Sequence, residues 1–493
     1  MSWRRNLTLA RVALRTAFGA AARPAFVGLA ICAGGPAAAS PRSDPTTGRA
    51  VFTGATESNP TSITLNPAAI GQGTTNEAYV AVVGTLDQLQ IGRSYLALDG
   101  TLTAGPQVSG VQVNPGATAG VVWHTSDRIT LGFHAMSPPS ESFLADRTAL
   151  RFQTLGGGQS NYLVTAGASL KVADQLYFGA SLTHDITRLR LRYSRDTALD
   201  AGNGAGGVSS DCGTGPCGLE NPRAAENYDV QVSSASFSTD NLRVNVGLMV
   251  QLSRDIWLGA AYHPPPGFSP IQTSLQGTMD VRRSPRDGGE IIHGSSTVDV
   301  AFPATVDLEV RAMLQHQLEL HVGGRWEDLS RFAGYDVRAY GSAFPPAGIP
   351  EWTERARGFH DSFALWGGIE QFDAGEALRF GARLGYETSS IPDERTTPIT
   401  IAPASLTADI GAQLRITPDA VLQLSYGLQL FEHVQVNASA FDPRDRVACV
   451  DGGYDYASAA CAATRLGYAI PTADGSYGRI EHALRLGFKV AFH

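Results

Sequence analysis

From about Ala78 to the C-terminus, apolar and polar positions alternate in long runs. A period of two marks strands with one apolar face. In the last run Ile480, Leu484, Leu486, Phe488, Val490 and Phe492 share one side, while Glu481, Arg485, Gly487 and Lys489 take the other. Runs over residues 406–416 and 422–430 repeat the pattern, and Leu318, Leu320, Val322 and Trp326 oppose Glu319, His321, Arg325 and Glu327. The polar sides carry full charges, among them Asp307, Glu309, Arg311, Arg383, Asp409 and Arg415. The apolar sides are long, at about the 9–11 residues a tilted strand needs to cross a bilayer. A wall that is greasy outside and charged inside is not a soluble sandwich. It predicts an all-β fold, a transmembrane antiparallel β-barrel.

About fourteen such runs are legible, near 78–92, 116–126, 128–136, 160–173, 175–192, 240–253, 255–263, 304–316, 317–330, 361–373, 376–388, 405–417, 419–436 and 479–492. An even count closes an up-and-down barrel with both ends on one side. The connections fall into two classes. Tight turns come at Ser126-Asp127, Ala173-Asp174, Arg254-Asp255, Gln315-His316, Asp373-Ala374-Gly375 and Pro418-Asp419, where Asp recurs because its side chain bonds the backbone of a sharp turn. Long connections alternate with them, at about 93–115, 137–159, 193–239, 264–303, 331–360, 389–404 and 437–478. Short turns on one side and long loops on the other are the asymmetry of an outer-membrane barrel, periplasmic and extracellular respectively.

Composition sharpens this. The 493 residues are 43% hydrophobic and 17% charged, with 54 glycines, yet no stretch approaches the roughly 20 consecutive apolar residues of a membrane helix. The N-terminus carries Arg4, Arg5, Arg11, Arg15 and Arg23, then an apolar run and an Ala37-x-Ala39 cleavage pattern, so residues 1–39 are expected to be a signal peptide. A lipoprotein reading of Cys32 is disfavoured by the bulk of Ile31 before it. Removing the leader's five arginines takes the formal charge from −8 to −13, and an acidic surface excludes the basic footprint of a nucleic-acid binder. Residues 40–77 fit neither leader nor strand and are expected to form a plug, or hatch, inside a barrel made of 78–493.

Outside the leader stand four cysteines, Cys212, Cys217, Cys449 and Cys461, all in expected extracellular loops. An even count in an exported chain suggests disulfides. Of three pairings, proximity favours Cys212–Cys217 and Cys449–Cys461, with free thiols as the alternative. The G-x-G-x-x-G at Gly202, Gly204 and Gly207 follows no buried strand and opens no helix, so it reads as a flexible loop. His360-Asp361-Ser362 holds the residue types of a hydrolase triad, but neighbours on a strand point to opposite faces. No spacing suited to a metal or cofactor is found. Trp257, Tyr262, Trp326, Trp366, Tyr386 and Phe492 near strand ends fit an interfacial belt or ordinary strand propensity.

The stretch GRAVFTGATESNPTSITLNPAAIG, with Gly48, Arg49, Ala50 and then Asn66, Pro67, Ala68, resembles the N-terminal hatch of the outer-membrane long-chain fatty-acid and aromatic-hydrocarbon transporters, the FadL/TodX type. GVVWHTSDRITLGFHAMSPP resembles that family's second hairpin and proline-ended third strand, and FPATVDLEVR with RWEDLSRF a later hairpin. FHDSFALWGGIEQF through YETSSIPDERTTP resembles another. The chain departs from the family in Glu57-Ser58, where an acidic pair is common, and in ending on Phe492-His493.

The resemblance implies passive uptake of hydrophobic molecules across the bacterial outer membrane, without catalysis, with release sideways into the membrane lipid. Asn66, Pro67 and Ala68 would gate the plug. Arg311, Arg325 and Arg383, on the polar side of the wall, are candidate contacts for a ligand carboxylate, or else struts paired with Glu309, Glu319 or Glu327. The rival readings are an outer-membrane lipid hydrolase and a general polar porin.

Overall fold

Strands form wherever the period-two runs lie, and a computed structural model shows them joined in one antiparallel sheet. It describes residues 51–96, 102–145, 149–196, 229–265, 273–300, 303–315, 317–331, 334–347, 349, 351–356, 358–372, 377–440 and 472–492. The leader, Gly48–Ala50, the glycine motif at 202–207 and all four cysteines of the expected disulfides lie outside these residues.

The chain begins with β1 (Asn76–Leu96), β2 (Leu102–His124), β3 (Ile129–Ser137), β4 (Glu141–Phe143), β5 (Gly156–Ala173), β6 (Leu176–Asp196) and β7 (Asp229–Ser253). Next come β8 (Ile256–His263), β9 (Thr273–Arg282), β10 (Ile291–Val300), β11 (Thr305–Gln315), β12 (Leu318–Glu327), β13 (Gly334–Tyr340) and β14 (Trp352–Ala356). It finishes with β15 (Ser362–Phe372), β16 (Leu378–Glu387), β17 (Ser405–Thr417), β18 (Ala420–Phe431), β19 (Val434–Val436) and β20 (Gly475–Phe492).

Fourteen of these make a closed ring, in the order β1, β2, β3, β5, β6, β7, β8, β11, β12, β15, β16, β17, β18, β20 and back to β1. The seam between β1 and β20 runs from Asn76 opposite Phe492 to Arg93 opposite Gly475. Closure removes the unpaired strand edges that a bilayer would not tolerate. The face assignment follows the alternation. Leu484, Leu486, Val322 and Leu384 are exposed on the outside, while Arg485, Glu319, His321 and Asp409 are buried within.

Six of the seven stretches expected as loops are partly strand. β1 and β2 stay paired up to Leu96 opposite Leu102. The β9–β10 hairpin extends the wall beside the first half of β7, and β13–β14 continue it from β10. The physical reason is an inversion of faces. Along β6, Phe178 and Leu182 point outward and Ser181, Thr183 and Asp185 inward; further up, Leu189, Leu191 and Tyr193 are buried and Arg188, Arg190 and Arg192 exposed. The strand continues past the bilayer, where its outer face meets water and its inner face meets an apolar filling.

One wall ladder is interrupted. β3 pairs with β5 from Ile129 opposite Leu170 to Met136 opposite Leu163, and pairing resumes only with β4, at Glu141 opposite Gln159. Ser137-Pro138-Pro139-Ser140 fills the gap. Proline lacks the N–H that a ladder needs.

Candidate functional site inside the lumen

Of residues 51–70, all but Ser58 are buried, and their partners are lumen-facing side chains of the wall. A single helical turn, α1 (Ser62–Leu65), stops at Asn66, whose φ of −148° and ψ of 100° are extended, the conformation that a following proline requires. The Asn66 carboxamide then organises the bend. Its Oδ1 accepts from Ala68 N–H at 3.1 Å, and its Nδ2 donates to the carbonyls of Ala55 (2.7 Å) and, on β7, Leu248 (3.2 Å). Ser169 and Ser181 of the wall donate to the carbonyls of Ala68 (3.0 Å) and Ile63 (3.2 Å). The buried His134 bridges Thr64 (2.7 Å) and Thr118 (2.5 Å).

The bend lies against two glycines that face each other across the β6–β7 ladder, Gly179 and Gly247. A Cβ on Gly179 would stand 2.2 Å from Ala68 N, and one on Gly247 would stand 2.0 Å from Asn66 Oδ1. Across the barrel the ring of Phe52 lies beside Gly381 and Gly411. Phe52 holds a φ of 68°, a strained conformation for a bulky residue. Its N–H is fixed by Glu370 Oε1 at 3.1 Å.

Below this segment, at the end of the barrel with the short turns, the wall presents a buried ion-pair network. Glu57 lies 3.3 Å from Arg379 Nη2, 3.7 Å from His321 Nε2 and 3.9 Å from Arg311 Nη1. Glu319 meets the same three side chains at 3.3 to 3.4 Å. Arg379 also contacts Glu370 directly. Glu309 accepts from the Thr56 N–H (3.1 Å) and hydroxyl, with His321 Nδ1 3.8 Å away. Arg311 reaches Gln72 at 2.6 Å.

Glu57, Glu319, His321 and Glu370 bring ligand-type atoms within 4.8 Å of one another, a donor set that suits a hard divalent cation. The Arg379 guanidinium already touches all three carboxylates, so the position a cation would take is filled. The cluster works as a clamp between segment and wall.

Of the arginines singled out in the sequence, Arg311 is paired with Glu319, and Arg325 donates to Asp307 at 2.7 Å, with His263 3.2 Å from the same carboxylate. Arg383 stacks on Trp366, 4.6 Å from the ring centroid, and makes no ion pair among the described residues. It borders a cavity of about 80 Å³, together with Thr53, Leu65, Asp307 and Tyr386. Arg379 was not singled out, although its alternation with Phe380 and Leu384 placed it on the polar side. Glu57, which with Ser58 stands where the family commonly carries an acidic pair, is the charged link from the segment to the wall. The Asp361 carboxylate accepts from Trp326 Nε1 and Ser330 N–H, each at 3.1 Å, so it anchors the wall, and among the described residues His360 Nδ1 meets only the Asp361 backbone carbonyl, at 3.4 Å.

Above the cavity the lumen changes character. Phe143, Leu191, Tyr193, Val281, Phe344 and Ile391 belong to one continuous buried apolar cluster toward the extracellular end. A second, with Leu89, Ile91, Leu150 and Tyr477, lies beside it. The lumen therefore has an apolar outer tier and a charged floor. The interrupted ladder, between Met136 and the Phe143 of the apolar cluster, lies at the level between them.

Solved structures with this fold include a Pseudomonas aeruginosa FadL homologue, at 15% identity over 90% of this chain and 95% of that one, with a TM-score of 0.70. The Pseudomonas putida toluene transporter TodX matches at 14% identity over 92% and 98%, with a TM-score of 0.60. The Ralstonia pickettii toluene transporter TbuX matches at 14% identity over 88% and 94%, with a TM-score of 0.57. No curated protein matches the chain. The profile described as outer membrane protein transport protein (OMPP1/FadL/TodX) matches residues 26–467. The chain belongs to this family of outer-membrane transport barrels.

Proposed function

We propose that this barrel carries hydrophobic molecules, long-chain fatty acids or aromatic hydrocarbons, passively into the outer membrane, with residues 51–75 as the plug. The observation that carries the reading is the order of the lumen, an apolar tier above a charged floor with a break in the wall between them. A hydrophobe gains about 25 cal/mol for each Å² it buries in the outer tier. Crossing the floor would strip buried charges of their partners, at about 3–5 kcal/mol for each pair broken. The sideways path past Pro138-Pro139 meets no such barrier. A polar porin is disfavoured by the apolar tier, and a hydrolase by the commitment of Asp361 to Trp326 and Ser330. The reading involves no chemical step and no cofactor.

The test is uptake of labelled oleate and labelled toluene, against a polar solute, into cells with and without the protein. A Pro138→Val, Pro139→Thr double variant restores two ladder donors and strand propensity. It is expected to assemble as a heat-modifiable barrel and to take up both hydrophobes several-fold more slowly. Unchanged uptake by this variant counts against sideways release, and no difference between cells with and without the protein sinks hydrophobe transport itself.

Arg383 is the arginine left to meet a fatty-acid carboxylate. Arg383→Gln is expected to slow oleate uptake several-fold while leaving toluene uptake unchanged. Equal effects on the two substrates would assign Arg383 to the wall alone.

A further inference from the structure

The inversion of faces along β6 puts three arginines in one outward row. Arg188, Arg190 and Arg192 are exposed at alternate positions, with Leu189 and Leu191 buried between them. The row starts where the lipid-facing band ends. From Leu176, next to the short turn, to Ile186 there are eleven residues, the length a tilted strand needs to cross the hydrocarbon. Two aromatic residues mark the same height. Arg188 is opposite Phe237 on β7, which is 54% exposed, and its guanidinium lies 5.6 Å from the ring centroid of Tyr162 on β5. Aromatic side chains at the rim of a barrel sit at the level of the lipid headgroups. With a rise of about 3.3 Å per residue along a strand, Arg190 and Arg192 stand one and two steps above that rim, in the headgroup layer.

The row is open to a partner. Among the described residues none of the three arginines makes an ion pair. Arg192 is opposite Ser233 and Arg190 opposite Ala235, and the next exposed acid along the sheet, Asp280 opposite Ser233, is held by His293 at 2.8 Å. The chain as a whole is acidic, with a formal charge of −8, so this cationic row runs against the general charge of the surface. Guanidinium forks in a row match phosphate oxygens bidentately.

We propose that Arg188, Arg190 and Arg192 bind the phosphate-bearing headgroup of an outer-leaflet glycolipid, holding one such lipid against the β5–β7 face. Its acyl chains would lie along the outer half of the apolar band, over Leu182 and Ile186, and Arg188, stacked on Tyr162, would take the phosphate nearest the chains. The proposal concerns the outer surface of the wall and is independent of what passes through the lumen.

The test titrates the detergent-solubilised, full-length barrel with lipid A carrying its phosphates, and with the same lipid dephosphorylated. The wild-type protein is expected to bind the phosphorylated form at least ten-fold more tightly, with affinity falling as salt rises. The R188Q/R190Q/R192Q variant is expected to lose that preference and keep its heat-modifiable barrel and its weak binding of the dephosphorylated lipid. The corresponding triple lysine variant keeps the charge and loses the fork, and is expected to fall between the two. Three outcomes would overturn the proposal: equal binding of both lipids by the wild type, an undiminished preference in the triple glutamine variant, or displacement of the lipid by millimolar inorganic phosphate.

Discussion

Gly247→Val is expected to expel the plug from a barrel that still assembles. The added Cβ would stand 2.0 Å from Asn66 Oδ1, 2.9 Å from Pro67 Cδ and 3.1 Å from Ala68 N. The segment has no small movement that relieves all three contacts, because Asn66 is tied to both Ala55 and Leu248. The wall itself accepts the change, since valine suits a strand better than glycine. Gly179→Val should act in the same way from the facing strand. Gly84→Val, where nothing lies within 4 Å of the new Cβ, is the control. The expected result is normal heat-modifiability, with residues 51–75 newly open to protease and polar-solute leakage raised at least ten-fold. Wild-type protection and permeability in Gly247→Val would show that the bend does not govern passage.

The second large effect is expected at the floor. Arg379→Met removes the guanidinium shared by Glu57, Glu319 and Glu370 and leaves three carboxylates facing Arg311 and His321. Breaking a buried pair by removing one partner costs about 3–5 kcal/mol, because the remaining charge stays buried without compensation. The midpoint of heat-modification should fall clearly, and the segment's protease protection should fall with it. Adding Glu370→Gln removes one of the uncompensated charges and should restore part of the loss, a non-additivity expected of residues in one network. Losses that simply add, or no loss at all, would mean that the floor is hydrated and the pairs are individually weak.

The ring was legible because the bilayer forces an alternation that a short sequence window can see. Leu318, Leu320 and Val322 against Glu319 and His321 gave the β12 span and its inward face. The same rule hid the upper wall. In β9 the outer positions are Ser274, Gln276, Asp280 and Arg282 and the inner ones Leu275, Met279 and Val281, so a search for outward grease passes over a strand that is there. The clamp was hidden for a different reason. Arg311, Glu319 and His321 belong to the β11–β12 hairpin, Glu370 and Arg379 to the β15–β16 hairpin, and Glu57 to the leading segment, and only the pairing of β12 with β15 and the seating of the segment bring the three within 4 Å of one another. The ties of the leading segment were hidden by the same sequence distance. The segment's ties, such as Phe52 to Glu370 and Thr56 to Glu309, are to residues hundreds of positions away.

The seam between β1 and β20 pairs eighteen residues on each strand, and residues 51–75 immediately precede β1. A cord attached to one lip of a zipper is shut in when the zipper closes. Geometry therefore leaves the leading segment two routes to its place: it lies on the lumen side when the last strand meets the first, or it enters along the axis from the end where both strands begin and finish. In the finished barrel no lateral path lets it leave through that seam without breaking a whole ladder. Any later movement is confined to rearrangement within the bore or withdrawal along its axis toward the end where both strands begin and finish.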